Sequence, residues 1–196
     1  MAFQQNQQFP GSGNQQQSGG NKKKTNFNIR TIWGIDARMD VSIWVADTGP
    51  KVVISVKHYV GKDVDKGTNV VEQKMPNELP NIYLNPRFVR ALWQFIEKAD
   101  PSNITGTLEF RKGENVDKTM TFGNENGKAT LTLEAQGKGK RKIIFDTVSF
   151  GGSPFHSDWE EFKAAIDICL TKITTLKMDS YEELNPCGSS NESFDE

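Results

Sequence analysis

Lysines and arginines set among aromatic residues, on stretches that alternate like β-strands, are the groups in this chain that invite chemistry. Arg38, Lys51, Lys57 and Lys62 share one stretch with Trp33, Trp44 and Tyr59, and Lys128, Lys138, Lys140, Arg141 and Lys142 share a second. A cationic groove along the phosphates, lined with rings on which bases stack, holds an unpaired nucleic-acid strand, each stacked base contributing about 1–3 kcal/mol. A lone lysine is usually a solubiliser, and most aromatic residues are core. The run from Lys138 to Lys142 differs, because four cations in five positions on a loop repel one another unless an anion joins them. Trp44 is the most telling ring. It alternates with Val41, Ile43 and Val45 and sides with Ser42, which puts it on an open sheet surface.

Catalysis finds little to work with. The two histidines, His58 and His156, stand apart, with no HxH or HExxH pattern and no paired Cys/His spacing for a metal. The segment Gly123–Ala129 superficially resembles a phosphate-binding loop, but it is one residue short and has Ala129 where Ser or Thr belongs. It also joins two strands where a phosphate loop joins a strand to a helix, so it reads as a hairpin. Cys169 falls on the apolar side of a helix and reads as a small core residue. The expectation is a protein with no enzymatic activity, no catalytic residue, no metal and no cofactor.

The elements that must position these groups come as a unit written twice. Val41 to Val56 and Lys118 to Leu133 each give an alternating strand, a small polar turn and a second alternating strand, with Lys51 and Lys128 matched at the turn exits. Around them the first copy spans residues 29–100, with strands Ile29–Ala37, Val41–Val45, Lys51–Tyr59 and Val70–Met75. The second spans 104–178, with strands Ile104–Lys112, Lys118–Phe122, Lys128–Leu133 and Ile143–Phe150. Each copy closes on a helix. Asn85-Pro86 caps and opens the first, which carries Phe88, Leu92, Phe95 and Ala99 on one stripe. Ser157 to Glu160 forms a capping box for the second, with Trp159, Phe162, Ile166, Leu170 and Ile173 on one face, running to Met178.

At 196 residues and 35% hydrophobic content, the chain has room for one domain of roughly 150 residues between two soft ends. Residues 1–28 read as a disordered Gln/Asn/Gly-rich arm with the basic run Lys22 to Lys24, and 179–196 as an acidic disordered tail. No apolar run approaches the roughly 20 residues that cross a bilayer, so no membrane is expected as a partner. The start lacks the pattern of a signal peptide, and two cysteines make no disulfide framework. A reducing, cytoplasmic setting in a bacterium or phage-infected cell follows, or a nucleus or organelle in a eukaryote.

Val41-Ser-Ile-Trp-Val45, then Gly49-Pro-Lys51-Val-Val-Ile-Ser-Val-Lys57-His-Tyr59, a basic ribbon, and Ile82-Tyr-Leu-Asn85-Pro86 opening a helix resemble the single-stranded-DNA-binding domain of the positive-cofactor-four-like coactivators. The doubled order over residues 29–178 is similar to Whirly proteins and PUR repeats, in which two such units pack as an internal pseudo-dimer. The resemblance implies an α+β fold of duplicated β4-α units, two antiparallel sheets each closed by a helix, related by a pseudo-two-fold axis. An OB-like barrel is the alternative. The resemblance implies roles for Lys51, Lys57 and Lys128 on phosphates. Glu134 stands where the second copy would match Lys57, and Thr48 where the family has a stacking aromatic, so the copies are expected to be unequal. The acidic tail tipped with Phe194 resembles those of replication-type single-strand binders, where the tail competes with DNA and recruits replication or recombination proteins. The function expected is sequence-tolerant binding of single-stranded DNA in replication, recombination or repair. RNA binding, transcription-cofactor activity of the same superfold, or a structural interaction module are the alternatives, and a homo-oligomer is a further expectation.

Overall fold

Apolar side chains at every second position fold the first part of the chain into a sheet with one dry face. The computed structural model describes residues 25–46 and 48–184, leaving aside the side chains of residues 25, 76, 150 and 176–184. Strands β1 (Thr25–Trp33), β2 (Ala37–Ala46), β3 (Gly49–Asp63) and β4 (Thr68–Val71) pair antiparallel in chain order, and β5 (Ile82–Leu84) pairs with the first half of β3. Across the β2–β3 ladder Met39 faces Val56, Val41 faces Ile54 and Ile43 faces Val52, all buried. The alternate residues point away from the core. In β1 the register slips between Asn28 and Arg30, a bulge that absorbs Ile29. The slip reverses the alternation, so that Asn26 and Asn28 before it and Thr31 and Trp33 after it share the outer face.

Helix α1 (Pro86–Glu97) starts as its sequence dictates. The Asn85 side chain accepts a hydrogen bond from Phe88 N at 3.1 Å, Pro86 fills the first turn, and Val89, Leu92 and Ile96 are buried.

A second sheet follows, β6 (Gly106–Lys112), β7 (Asn115–Glu125), β8 (Lys128–Ala135) and β9 (Gly139–Ile144), again antiparallel and in chain order. Its inner face is Met120, Phe122, Leu131, Leu133 and Ile143. The β7–β8 turn is the two-residue pair Asn126-Gly127, with φ of 53° and 77°. Positive φ at both positions gives the turn whose twist matches a hairpin. The single strand expected over Ile143–Phe150 is broken. Asp146 accepts hydrogen bonds from Thr147 N and Lys128 Nζ, both at 2.8 Å, and the chain leaves the sheet for a small hairpin, β10 (Val148–Phe150) and β11 (Ser153–Phe155).

Helix α2 (Ser157–Leu184) buries Trp159, Phe162, Ile166, Cys169 and Ile173. It begins at Ser157 itself, with Glu160 N bonded to His156 O at 3.0 Å, so Ser157 is not the cap that the sequence suggests. The helix passes the expected end at Met178, and residues 179–184 are helical; 185–196, the rest of the expected acidic tail, lie outside the described residues. Likewise β1 begins at Thr25, within the expected arm, whose residues 1–24 lie outside them.

The architecture is α+β, with antiparallel sheets and two helices. No sheet closes into a barrel among the described residues, which corrects the OB-like alternative. One apolar core runs through both sheets and both helices. On α1, Phe88 meets Phe110 and Phe95 meets Phe122 of the second sheet, while Trp159 and Phe162 of α2 pack on Phe122 and Phe145. Polar contacts pin the sheets together. Ile35 N donates to Ile144 O at 3.0 Å, and Ile144 N to Asp36 Oδ1 at 2.9 Å. Gly34 lies so close to β9 that a Cβ there would stand 2.5 Å from Ile143 Cγ1 and 2.6 Å from Ile144 O.

Candidate nucleic-acid interface

The outer face of the first sheet is concave and polar, unlike its dry inner face. It lines a trough of about 570 Å³ whose floor includes Asn28, Thr31, Asp40, Ser42 and Ser55, with Trp44 and Tyr83 toward one end. The pairing register sets what lies beside what. Asn26, Trp44 and Lys51 form one row; Trp33, Arg38 and Lys57 form another. At the first row Lys51 Nζ lies 5.9 Å from the Trp44 ring centroid, and Trp44 meets Tyr83 edge-on at 5.8 Å. At the second, Arg38 Cζ lies 5.5 Å from the Trp33 ring, which stacks on Tyr59 at 6.4 Å with 15° between planes.

Trp33 is 53% exposed and Tyr83 39%, whereas Trp44, Tyr59, Lys51 and Lys57 are half-buried. No ion pair engages Lys51 or Lys57 among the described residues. Arg38 is committed in part: Nη2 donates to Asp40 Oδ2 at 2.8 Å, while its Nε, buried against the sheet, has no hydrogen-bond partner among the described residues. Asp40 also accepts from Thr31 Oγ1 at 2.9 Å, and Asn28 Nδ2 donates to Thr31 at 3.0 Å. Burial pushes the Tyr59 phenol up, against the pull of a hydrogen bond with Asn69, and its hydroxyl donates to Gly34 O at 3.1 Å. At neutral pH it is an uncharged donor.

Six of the twelve residues singled out in the sequence therefore share the outer face of the first sheet: Arg38, Trp44 and Lys57 line the trough, and Trp33, Tyr59 and Lys51 flank it at its two ends. The other six do not join them. Lys62 sits on the exposed β3–β4 ribbon, and Lys138 is exposed in the β8–β9 turn. Lys128 pairs with Asp146 at 2.8 Å, Lys140 with Glu134 at 3.1 Å, and Lys142 with Glu125 at 2.6 Å. Arg141 is held by Glu72, Nε to Oε1 at 2.8 Å and Nη2 to Oε2 at 3.0 Å, both side chains nearly buried. The expectation of a flexible loop of cations lacking an anion is corrected. Lys140, Arg141 and Lys142 lie on strand β9, and the counter-charge comes from Glu134 on the paired strand β8, Glu72 just after β4 and Glu125 on β7.

Burial alone would raise Glu72, but hydrogen bonds from Arg141 and from His58 N hold it below the usual carboxylate range. His58 Nε2 lies 3.2 Å from Lys142 O, so His58 serves the joint between the sheets. Lys51 and Lys128 are also not equivalent. Lys51 faces Trp44 two pairs beyond the last pair of its hairpin, whereas Lys128 faces Glu125 directly at the turn.

Sequence reasoning missed Tyr83, Asp40 and the Asn–Thr–Ser floor. Tyr83 was legible: Ile82 and Leu84 beside it are buried, so alternation turns it outward. It is steadied from the second sheet by Lys118, whose Nζ donates to Asn81 O at 3.0 Å and lies 5.1 Å from the Tyr83 ring. Burial pulls that ammonium below its ordinary pKa. Cys169, buried and pushed up to about 12, is a thiol of the core. Among the described residues no cluster of His, Cys, Asp or Glu is arranged to hold a metal, and no helix is long and apolar enough to cross a membrane.

No family model matches the chain, and no curated protein matches it in sequence. Among solved structures it is similar to a chain from the crystal structures of Trypanosoma bruciei MRP1/MRP2, at 13% identity and a TM-score of 0.40, over 78% of this chain and 88% of that one. A likeness at that level is too weak to bear on fold or function.

Proposed function

We propose that this chain is a non-enzymatic, sequence-tolerant single-stranded DNA-binding protein serving replication, recombination or repair, and that the trough of the first sheet is its binding surface. The observation that carries the reading is the gathering of four rings and three cations, against one carboxylate, on a single open sheet face. Rings offer faces to any base and cations follow the phosphates, so affinity is tolerant of sequence. The second sheet supplies no such face: its outer side is threonines and paired charges. Chain order, with the four-strand runs β1–β4 and β6–β9 each followed by a helix after an added piece (β5 before α1, the β10–β11 hairpin before α2), supports a duplicated Whirly-like unit in which the first copy has kept the ligand face.

Labelled oligo-dT titrated at low and high salt tests the proposal. Binding that weakens with salt reports released counterions and supports it. No binding at any salt overturns it in favour of a structural module. RNA is a second reading, favoured by the hydroxyl and amide groups of Asn28, Thr31, Ser42 and Ser55, which suit a ribose 2′-hydroxyl; oligo-U bound tighter than oligo-dT would support it. The acidic residues 179–196 complete the proposal as an internal competitor for the trough and a recruiter of replication or recombination proteins. Deleting 179–196 then tightens DNA binding, and unchanged or weaker binding removes that role.

A further inference from the structure

Resting on the binding reading, we infer that the trough takes a short segment of about four to six nucleotides, its bases turned toward the sheet and its phosphates engaged only at the two ends. The ends are the ring-and-cation rows already described, Trp33–Tyr59 with Arg38 and Lys57, and Trp44–Tyr83 with Lys51. Arg38 and Trp44 stand six residues apart on one strand, about 20 Å at roughly 3.3 Å per residue. A stacked strand advancing about 3.4 Å per nucleotide spans that distance in about six, and a more extended one in fewer.

What lies between the rows decides the orientation. Asp40 is fixed on the floor by Thr31 and Arg38, so a carboxylate stands in the middle of an otherwise cationic face. It repels a phosphate and tolerates a base, as do the neutral groups of Asn28, Ser42 and Ser55 around it. Asp40 also occupies Arg38, which leaves Lys51 and Lys57 as the cations able to displace counterions. Two phosphate contacts on a single strand give a slope of log K against log salt of about −1.4, shallow for a nucleic-acid binder.

The full chain, titrated with dT2 to dT30 by tryptophan fluorescence at several salt concentrations, tests this. The affinity is expected to climb steeply to about six nucleotides and then gain only the statistical factor of extra registers. The salt slope is expected to lie between −1 and −2. In Asp40→Asn, which keeps an acceptor for Thr31, Arg38 becomes a third phosphate contact and the slope steepens by about 0.7. Affinity that climbs tenfold or more beyond ten nucleotides, or a slope steeper than −3, overturns the two-ended site while leaving single-strand binding standing. An unchanged slope in folded Asp40→Asn overturns the exclusion of phosphate from the centre. Failure to bind even dT30 at low salt overturns both this inference and the reading beneath it.

Discussion

Replacing Arg141 with alanine is expected to loosen the fold and leave the grip on a single strand intact. Arg141 sits in the most basic run of the chain, yet its guanidinium makes two hydrogen bonds with Glu72, at side-chain exposures of 14% and 11%. Removing one partner of a buried pair costs about 3–5 kcal/mol, because the other charge stays buried and uncompensated. Here Glu72 keeps the bond from His58 N at 3.1 Å, the Lys74 ammonium at 3.8 Å and some access to water, so the cost is set at about 2–4 kcal/mol. At roughly 2–4 °C per kcal/mol for a chain of this size, the melting temperature should fall by about 5–15 °C. Circular-dichroism melting reads the stability, and oligo-dT titration at 15 °C reads the affinity. In a cycle with Glu72→Ala the double variant should cost less than the two single changes combined, since it leaves no orphaned charge. A melting temperature within 2 °C of the parent, joined to a tenfold loss of affinity, would instead make Arg141 a ligand contact.

Trp44→Ala should weaken binding of a short oligonucleotide by at least fivefold, the loss of one stacked base at about 1 kcal/mol or more, while the half-buried ring costs less stability in urea than the roughly 3–5 kcal/mol of a core tryptophan; unaltered affinity in the folded variant would count against the trough. Gly34→Ala should destabilise by about 1–3 kcal/mol or more, since the new Cβ meets the backbone oxygen of Ile144 at 2.6 Å and neither sheet can give way cheaply; a melting temperature equal to the parent's would show that the joint between the sheets is looser than described. Acid should also destabilise the fold. Glu72 and Asp146 are held below the usual carboxylate range, so their contribution is complete above about pH 4.5 and is lost as pH falls through the depressed values. Asp158, raised by burial, works in the opposite sense. Urea midpoints measured from pH 6 to pH 2.5 should therefore drop mainly below pH 4.5, and a flat profile would contradict the assignment.

How much of this was legible in the sequence depends on the range of the interaction involved. Alternation is local, so Val41 to Val45 and Lys51 to Lys57 declared both the strands and their two faces, and Trp44 could be placed outward at once. The Asn85-Pro86 cap is local too, and was read correctly. Register is not local. That Lys140 would meet Glu134 and Lys142 would reach Glu125 depends on the turn at Gly137–Gly139 and on the packing of β9, neither of which a list of charges contains. Arg141 finds Glu72 across 69 residues of chain. The bulge at Ile29 is equally hidden, yet it is what carries Trp33 to the same face as Asn28. Matching Lys51 with Lys128 by alignment failed for a related reason: a shared pattern fixes the face of a strand, and only the hairpin pairing fixes the distance from its turn.

In the proposed binding mode one sheet face, the outer face of β1, β2, β3 and β5, holds the strand, and the two sets of lysines allow a direct comparison. The measurement is the affinity of a dT oligomer for Lys51→Ala/Lys57→Ala and for Lys140→Ala/Lys142→Ala, in the same buffer and with both variants shown to be folded. At least a tenfold loss is expected for the first pair and a change within about threefold for the second, whose ammonium groups are already matched by Glu134 and Glu125. The reverse order, with the β9 pair carrying the affinity and the trough pair silent, would contradict that mode.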